Sequence, residues 1–459
     1  MTLLLLACTD PVTDDTSAPT DDSSGIVDDT GDTDQPVDAD GDGVFSDEDC
    51  DDEDASIYPG ATEVCDGKNT GCADDWEGDA GLVTWDGDDD WSEAFAEGGA
   101  FTLDQPGTLR VCEGEWPVEL FVEAEVTIEG PEDDVVLDGM NGWTPVTADD
   151  PDAVLTLRGL EIVNGEASNL VPDEGFTGGG GLFCHEATLT LEEVVIEDSN
   201  AILGGGLFAQ DCDLTIDDAR VDDNTASSGG GAWLAWTTIE AIDFWLEGNV
   251  ATQIGGGLGL YEVEGAMDDL HLAFNTAEAG GGASLQGDTR LSLTNAYAAE
   301  HSATVGSAMY LDGELELSFE GGKIKKNEAS SAGGGLYSTG NATLVAQGTE
   351  FSENVAPDGG AVWLYTDTVT LDDVVMDENE ATRGAAGWLQ GTTATLSASR
   401  VRLNIAEVGG GFRLASPAVL SIVATDFSGN TPDDVQCAAG DSYTLGEAAT
   451  TTCDGSSCE

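Results

Sequence analysis

The stretch Asp38-Ala39-Asp40-Gly41-Asp42-Gly43-Val44-Phe45-Ser46-Asp47-Glu48-Asp49 carries the most specific chemistry in this chain. Carboxylates stand at its first, third and fifth positions (Asp38, Asp40, Asp42) and glycine at its sixth (Gly43). A backbone carbonyl follows at the seventh (Val44) and a carboxylate at the twelfth (Asp49). Alternate side chains so spaced converge on one ion, and the glycine permits the sharp turn that wraps them around it. Segment 38–76 contains no histidine and no methionine. An all-oxygen donor set of this kind favours Ca2+ over copper or zinc. The competing reading is an acidic linker bent by disulfides.

A second set of side chains recurs at constant phase. Counted four residues on from the first glycine of a repeated glycine tract, it reads Phe183, Phe208, Trp233, Gly259, Ser284, Tyr310, Tyr337, Trp363, Trp388 and Arg413. The flanking positions are mostly apolar (Leu182 and Cys184, Leu207 and Ala209, Val362 and Leu364), so period-2 alternation turns the ring position outward. The expectation is a column of exposed aromatic rings, about 4.8 Å apart, broken at two coils. Exposed strips of this kind mark binding surfaces, and Phe183, Phe208, Trp233, Tyr310, Tyr337, Trp363 and Trp388 form a candidate glycan-binding face. The alternative is that the rings stack on one another and on a covering loop, adding stability only.

The elements that position these residues follow from the glycine tracts. They begin at Gly179, Gly204, Gly229, Gly255, Gly280, Gly306, Gly333, Gly359, Gly384 and Gly409, in steps of 25 to 27 residues. A fixed period of that length indicates a solenoid. Three short β runs fill each repeat, as in Leu207 to Ala209, Leu214-Thr215-Ile216 and Ala219 to Val221. The predicted fold is all-β: a right-handed parallel β-helix with three strands and about 25 residues per coil, each coil burying its face against the next. Asn200, Asn224, Asn249, Asn275, Asn327, Asn354, Asn379 and Asn404 precede the tracts and are expected to stack as a column of amides. The glycines mark a turn and not a phosphate cradle, because no lysine follows them.

The repeat N-x-A-x-x-G-G-G, with Val221, Leu246, Phe351 or Met376 three residues before the asparagine, resembles polymorphic outer-membrane protein repeats and the wider right-handed parallel β-helix families. Val111 to Trp116 followed by Val126 to Gly130 resembles the first coil of those families. Some parallel β-helices cleave polysaccharides with clustered acids and bases. Here His185, His271 and His301 fall at different offsets and the basic residues are scattered, which argues against an enzyme. The acidic loop looks more like a thrombospondin type 3 or dockerin loop than an EF-hand, since its twelfth residue is Asp and no helical pattern flanks it. Its continuation, Cys50-Asp51-Asp52 and Pro59-Gly60-Ala61-Thr62-Glu63-Val64-Cys65-Asp66-Gly67, resembles the metal-binding motif of secreted bacterial proteins. That resemblance implies Asp51, Asp52 and Glu63 as further ligands. The family's usual ending is replaced at Lys68-Asn69-Thr70.

Composition bounds the partners. With 92 Asp and Glu against 12 Lys and Arg, the net charge is −80, which excludes nucleic acid as a partner and disfavours polyuronates. Acidic pairs such as Asp217-Asp218 and Asp222-Asp223 are expected to repel their counterparts along the stack, and Lys323-Ile324-Lys325-Lys326 to act as a counter-charge beside Glu350 and Glu353. Leu5-Leu6-Ala7-Cys8 resembles a lipoprotein lipobox with Cys8 as the lipidated residue. The missing basic n-region places the expected start upstream of Met1. The other nine cysteines, in an exported chain, read as disulfides of open connectivity.

The predicted organisation is a truncated signal (1–8), a disordered acidic linker (9–37), a metal-binding module (38–76), the β-helix (77–430) and a cysteine-containing cap (431–459). The functional expectation is a monomeric, calcium-binding, lipid-anchored cell-envelope or surface protein, structural or adhesive, with extracellular glycans or surface proteins as partners. The alternative is a polysaccharide-binding or polysaccharide-cleaving β-helix.

Overall fold

Strands Leu182–His185, Leu207–Gln210 and Ala232–Ala235 point their first and third side chains inward and pair in parallel, so that Leu182, Leu207 and Ala232 lie in one row. In the computed structural model this row extends into a fifteen-stranded sheet. The structure describes residues 38–59 in part, Cys72, residues 83–437 except 87–88, 131–134, 168, 172–176 and 366–367, and strands within 442–458. In four consecutive coils the chain then turns into a bent ten-residue strand (Val154–Val163, Thr188–Glu197, Asp213–Asp222 and Thr238–Glu247), whose halves form two further faces. From Glu264–Asp268 and His271–Ala273 onward the halves are separate strands. A short fourth strand precedes the glycines in several coils, as in Ser302–Val305 and Glu328–Ala332. Together these make an all-β parallel β-helix of about twelve coils.

Each coil turns corners through left-handed backbone. At Gly204 (φ 60°) a Cβ would sit 2.1 Å from the Leu207 carbonyl oxygen, so glycine alone fits. At Gly205 a Cβ would lie 2.3 Å from the Gly230 oxygen of the next coil, so this glycine answers close approach. Other corners tolerate a side chain and are filled by acids: Glu193, Asp218, Asp243 and Asp269 at one, Asp198, Asp223, Glu353 and Glu378 at another, with φ of 50–57°. Short polar side chains enter this region most readily. The second member of each such doublet (Glu193, Asp218, Asp223, Asp269) therefore sits at a corner and projects into solvent, while Asp222, the first member of its doublet, is buried.

Inside, an unbroken apolar core runs the length of the helix. Beside it the asparagines form a ladder. Asn224 Nδ2 donates to the carbonyl oxygens of Ile196 (2.9 Å) and Asp222 (2.8 Å), while Asn224 N donates to Asn249 Oδ1 (2.9 Å). The pattern repeats through Asn249, Asn275, Asn327, Asn354, Asn379, Asn404 and Asn430. Two positions correct the expectation. Asn200 is outside the ladder and bonds Glu166; Ser199 occupies the rung, because its spacing to Gly204 matches that of Asn224 to Gly229. His301 fills the rung between Asn275 and Asn327, accepting from Asn275 N at Nδ1 (3.1 Å) and donating from its own N to Asn327 Oδ1 (3.1 Å). Burial in the core holds its pKa down to about 3.

Both ends of the stack are closed. Thr84–Trp85 pairs antiparallel with Gly107–Arg110, and the helix Ser92–Glu97 places Phe95 against Phe101 and Trp116. At the far end Ser442–Leu445 adds one more parallel rung, and Ala449–Thr452 returns antiparallel beside it. Such coverage removes the free edges that invite intermolecular pairing. Cys184–Cys212 links neighbouring coils, Cys50–Cys72 lies in the acidic module, and Cys112 and Cys437 are also disulfide-bonded.

Candidate metal loop and outward ring columns

In the acidic loop the backbone already makes the turn that an ion would need. Gly41 and Gly43 adopt φ of 87° and 102°, open only to glycine. Asp38 closes the turn, accepting from Gly41 N at Oδ1 (2.7 Å) and from Gly43 N at Oδ2 (3.2 Å). Asp49 N donates to the Phe45 oxygen (2.9 Å), bringing the twelfth residue back over the loop. Asp49 Oδ1 accepts from Asp51 N (3.0 Å), and its Oδ2 is buried with no hydrogen-bond partner among the described residues. Asp49 also lies beside Cys50 and Cys72, but those sulfurs are bonded to each other and unavailable to a metal. What remains is a set of oxygen donors, which suits a hard cation. Asp38, Asp40, Val44, Asp49 and Asp51 belong to this described part; Asp42, Asp52, Glu63 and Cys8 lie outside the described residues.

The ring column exists, and its exposure differs from expectation. Phe183 and Phe208 point away from the main core yet are fully buried, stacked at 5.2 Å under Val171 from the excursion that follows Gly165. A loop covers this end of the column because Leu170 bridges back to Thr177 and Asn169 Nδ2 donates to Thr147 Oγ1 (2.7 Å). Further on, Tyr310, Tyr337 and Trp363 stack with centroids 5.9 and 4.5 Å apart and planes within 16°. Trp388 continues the run under the Arg383 guanidinium at 4.2 Å. Their faces are turned largely toward one another, so a ligand meets ring edges. Trp233 is the exception: its ring leans over Gly259, where a Cβ would fall 2.4 Å from Cε3.

Residues 49–75 match the family described as "Putative metal-binding motif", Cu-binding MopE. The match includes Asp49, Asp51, Asp52 and Glu63 and begins where the acidic loop ends. No curated protein matches the chain. Among solved structures, the Azotobacter vinelandii mannuronan C-5 epimerase AlgE4 A-module aligns over 79% of this chain and 93% of its own, at 13% identity and a TM-score of 0.32. The Streptococcus pneumoniae surface adhesin PfbA aligns over 80% of this chain and 91% of its own, at 12% identity and a TM-score of 0.32.

A second column, missed by aligning on glycine, lies on another face. Arg220, Trp245, His271, Tyr297 and Lys323 are register partners in consecutive coils. Trp245 and His271 stack at 4.0 Å, and His271 and Tyr297 at 4.5 Å. Arg220 and Lys325 lie over the two outer rings. Burial, with Arg220 nearby, lowers the His271 pKa. All five residues stand four positions before a ladder rung, so aligning on the asparagines exposes the column. Its cations are paired: Arg220 Nη2 reaches Asp222 Oδ2 at 2.7 Å and Lys323 Nζ reaches Glu350 Oε2 at 3.2 Å, the latter as the counter-charge reading expected. The three histidines have different neighbours: His301 is a ladder rung, His271 stacks between rings, and His185 bonds Asp149 through Nδ1 at 2.7 Å.

Beside this column Glu197 shares its surroundings with Glu161, Asp198 and Asp222. Burial, the bond to Glu161 and these neighbouring charges raise its pKa to about 7. The predicted repulsion between acids on adjacent coils is thus met locally by a retained proton.

No helix among the described residues is long and apolar enough to cross a membrane.

Proposed function

We propose that this chain is a non-catalytic rod of the bacterial cell surface. On this reading a calcium ion rigidifies its N-terminal module, and the β-helix presents outer faces to an extracellular partner. The observation that carries the reading is the acidic loop: glycine-dependent turns, the buried Asp49 Oδ2 with no hydrogen-bond partner among the described residues, and a disulfide that removes sulfur from the donor set. Asp38, Asp40, Asp42, Val44 and Asp49 hold the ion, with Asp51, Asp52 and Glu63 as ligands supplied by the adjoining motif. Disulfides support an exported location, and Cys8 is the proposed lipid anchor. The non-catalytic part is supported by the employment of the basic groups. His301 is a ladder rung, His271 a ring in a stack, and Arg158, Arg220, Arg290, Arg383 and Arg402 are each tied to carboxylates. The purified full chain, incubated with neutral and acidic polysaccharides, is expected to release no reducing ends and no unsaturated or epimerised products. Turnover that a single substitution abolishes would overturn this part of the reading.

A further inference from the structure

Where the ring column breaks, a concave site forms. A cavity of about 410 Å³ opens on the side of Trp233 away from the main core, lined by Phe208, Gln210, Trp233, Trp236, Tyr261 and Val171. That volume lies in the range of small-ligand sites, which are apolar with a few convergent polar groups. Trp233 leans across Gly259, where the absence of a side chain lets its ring lie over the next coil. Trp236 departs from its own column. The same left-handed corner is filled by Glu186, Asp211, Glu262 and Gly287 in neighbouring coils, and only here by a large ring. At φ 50° a bulky side chain is strained, yet Trp236 remains 43% exposed, so core burial does not account for it. Its indole is held in place, edge to face with Tyr261 at 5.3 Å, with Nε1 donating to Glu262 Oε2 at 3.0 Å.

The chemistry at the rim selects the occupant. Among the described residues no lysine or arginine lines the cavity. Gln210 offers an amide, and Asp211 and Glu262, which accept from Gln210 Nε2 and Trp236 Nε1 of the lining, hold carboxylates next to it that disfavour anions. A pyranose ring presents an apolar C–H face to aromatic carbon and hydroxyls to these acceptors. We propose that this cavity binds one neutral hexose unit of a glycan, with Trp233, Trp236 and Tyr261 forming the apolar wall and Gln210 and Glu262 the polar rim. The proposal rests on the surface-binding reading above and gives that partner a chemical class and a place.

The test is calorimetric titration of the full chain with cellohexaose, laminarihexaose and mannohexaose, and with hexagalacturonate and phenylalanine amide as contrasts. One neutral hexaose is expected to bind, with affinity falling at least about ten-fold in Trp236→Ala, the change expected from losing one buried aromatic contact. Trp236→Asp restores the acidic corner residue of the preceding coil, so it keeps the fold while removing the ring, and the same loss is expected. Trp388→Ala, on the distant stack, should bind normally. Absence of binding to all three neutral hexaoses at millimolar concentration, unchanged affinity in both Trp236 variants, or a preference for hexagalacturonate or phenylalanine amide would overturn the proposal. Asp40→Ala should leave this titration unaltered, so failure of the calcium reading and failure of this one are separable.

Discussion

His301→Asn probes the internal ladder with a signal that no surface substitution would mimic. In the folded chain His301 is 2% exposed and accepts a backbone hydrogen bond through Nδ1, so the ring must be neutral; burial holds its pKa to about 3. Unfolded, the same imidazole titrates near about 6.5. Between these values the unfolded chain binds more protons, so the contribution to stability is complete above about pH 6.5 and is lost progressively as pH falls toward 3. At about 1.4 kcal/mol per pH unit, the wild type loses about 2 kcal/mol from this group between pH 7 and pH 5. Asparagine neither titrates nor breaks the pattern, since its Oδ1 can accept from Asn275 N as Asn327 Oδ1 accepts from residue 301. Urea unfolding of both proteins at pH 7, 6 and 5 should show the variant gaining about 2 kcal/mol on the wild type across that span. Parallel pH profiles, or an imidazole resonance of His301 titrating near pH 6.5, would refute the reasoning.

Two further predictions concern the same coils. Asn354→Ala removes the donor to the Ile324 oxygen (2.8 Å) and the acceptor for Asn327 N (3.2 Å), leaving two buried backbone groups unsatisfied. The expected loss is about 3 kcal/mol, with accelerated amide exchange confined to the coils around residues 327–379. Glu197→Gln tests the retained proton. The raised pKa means the folded state holds a proton that the unfolded state releases, so stability is greater at low pH and declines as pH rises through about 7. The variant should therefore melt higher than wild type at pH 8, with the two converging at pH 5.

The β-helix was legible in the sequence because its constraints are local and repeated. A left-handed corner with no room for Cβ demands glycine at Gly204 in every coil, and alternation around Leu207 and Ala209 separates core from surface. What escaped depends on contacts between coils. Asn200 looked like a ladder residue, and only the pairing of Ser199 with Asn224 fixes the register. His301 looked irregular because its imidazole replaces an amide that differs in composition but not in acceptor geometry. Phe183 and Phe208 sit at an outward phase, yet an excursion with no repeat signature buries them. The column from Arg220 to Lys323 was hidden by alignment on glycines, since the corners between glycine and asparagine vary in length. The glycine turns of the acidic loop were legible as spacing, while the bond between Cys50 and Cys72 that takes sulfur out of its surroundings was not.

Calcium titration of the EDTA-stripped full chain, in physiological salt with excess magnesium to occupy weak surface carboxylates, tests the central claim directly. Wild type should take up one calcium ion with an affinity that Asp40→Ala and Asp42→Ala each abolish, while copper and zinc fail to compete at equal concentration. Absence of that binding event, its persistence in both variants, or displacement of calcium by copper would contradict the account.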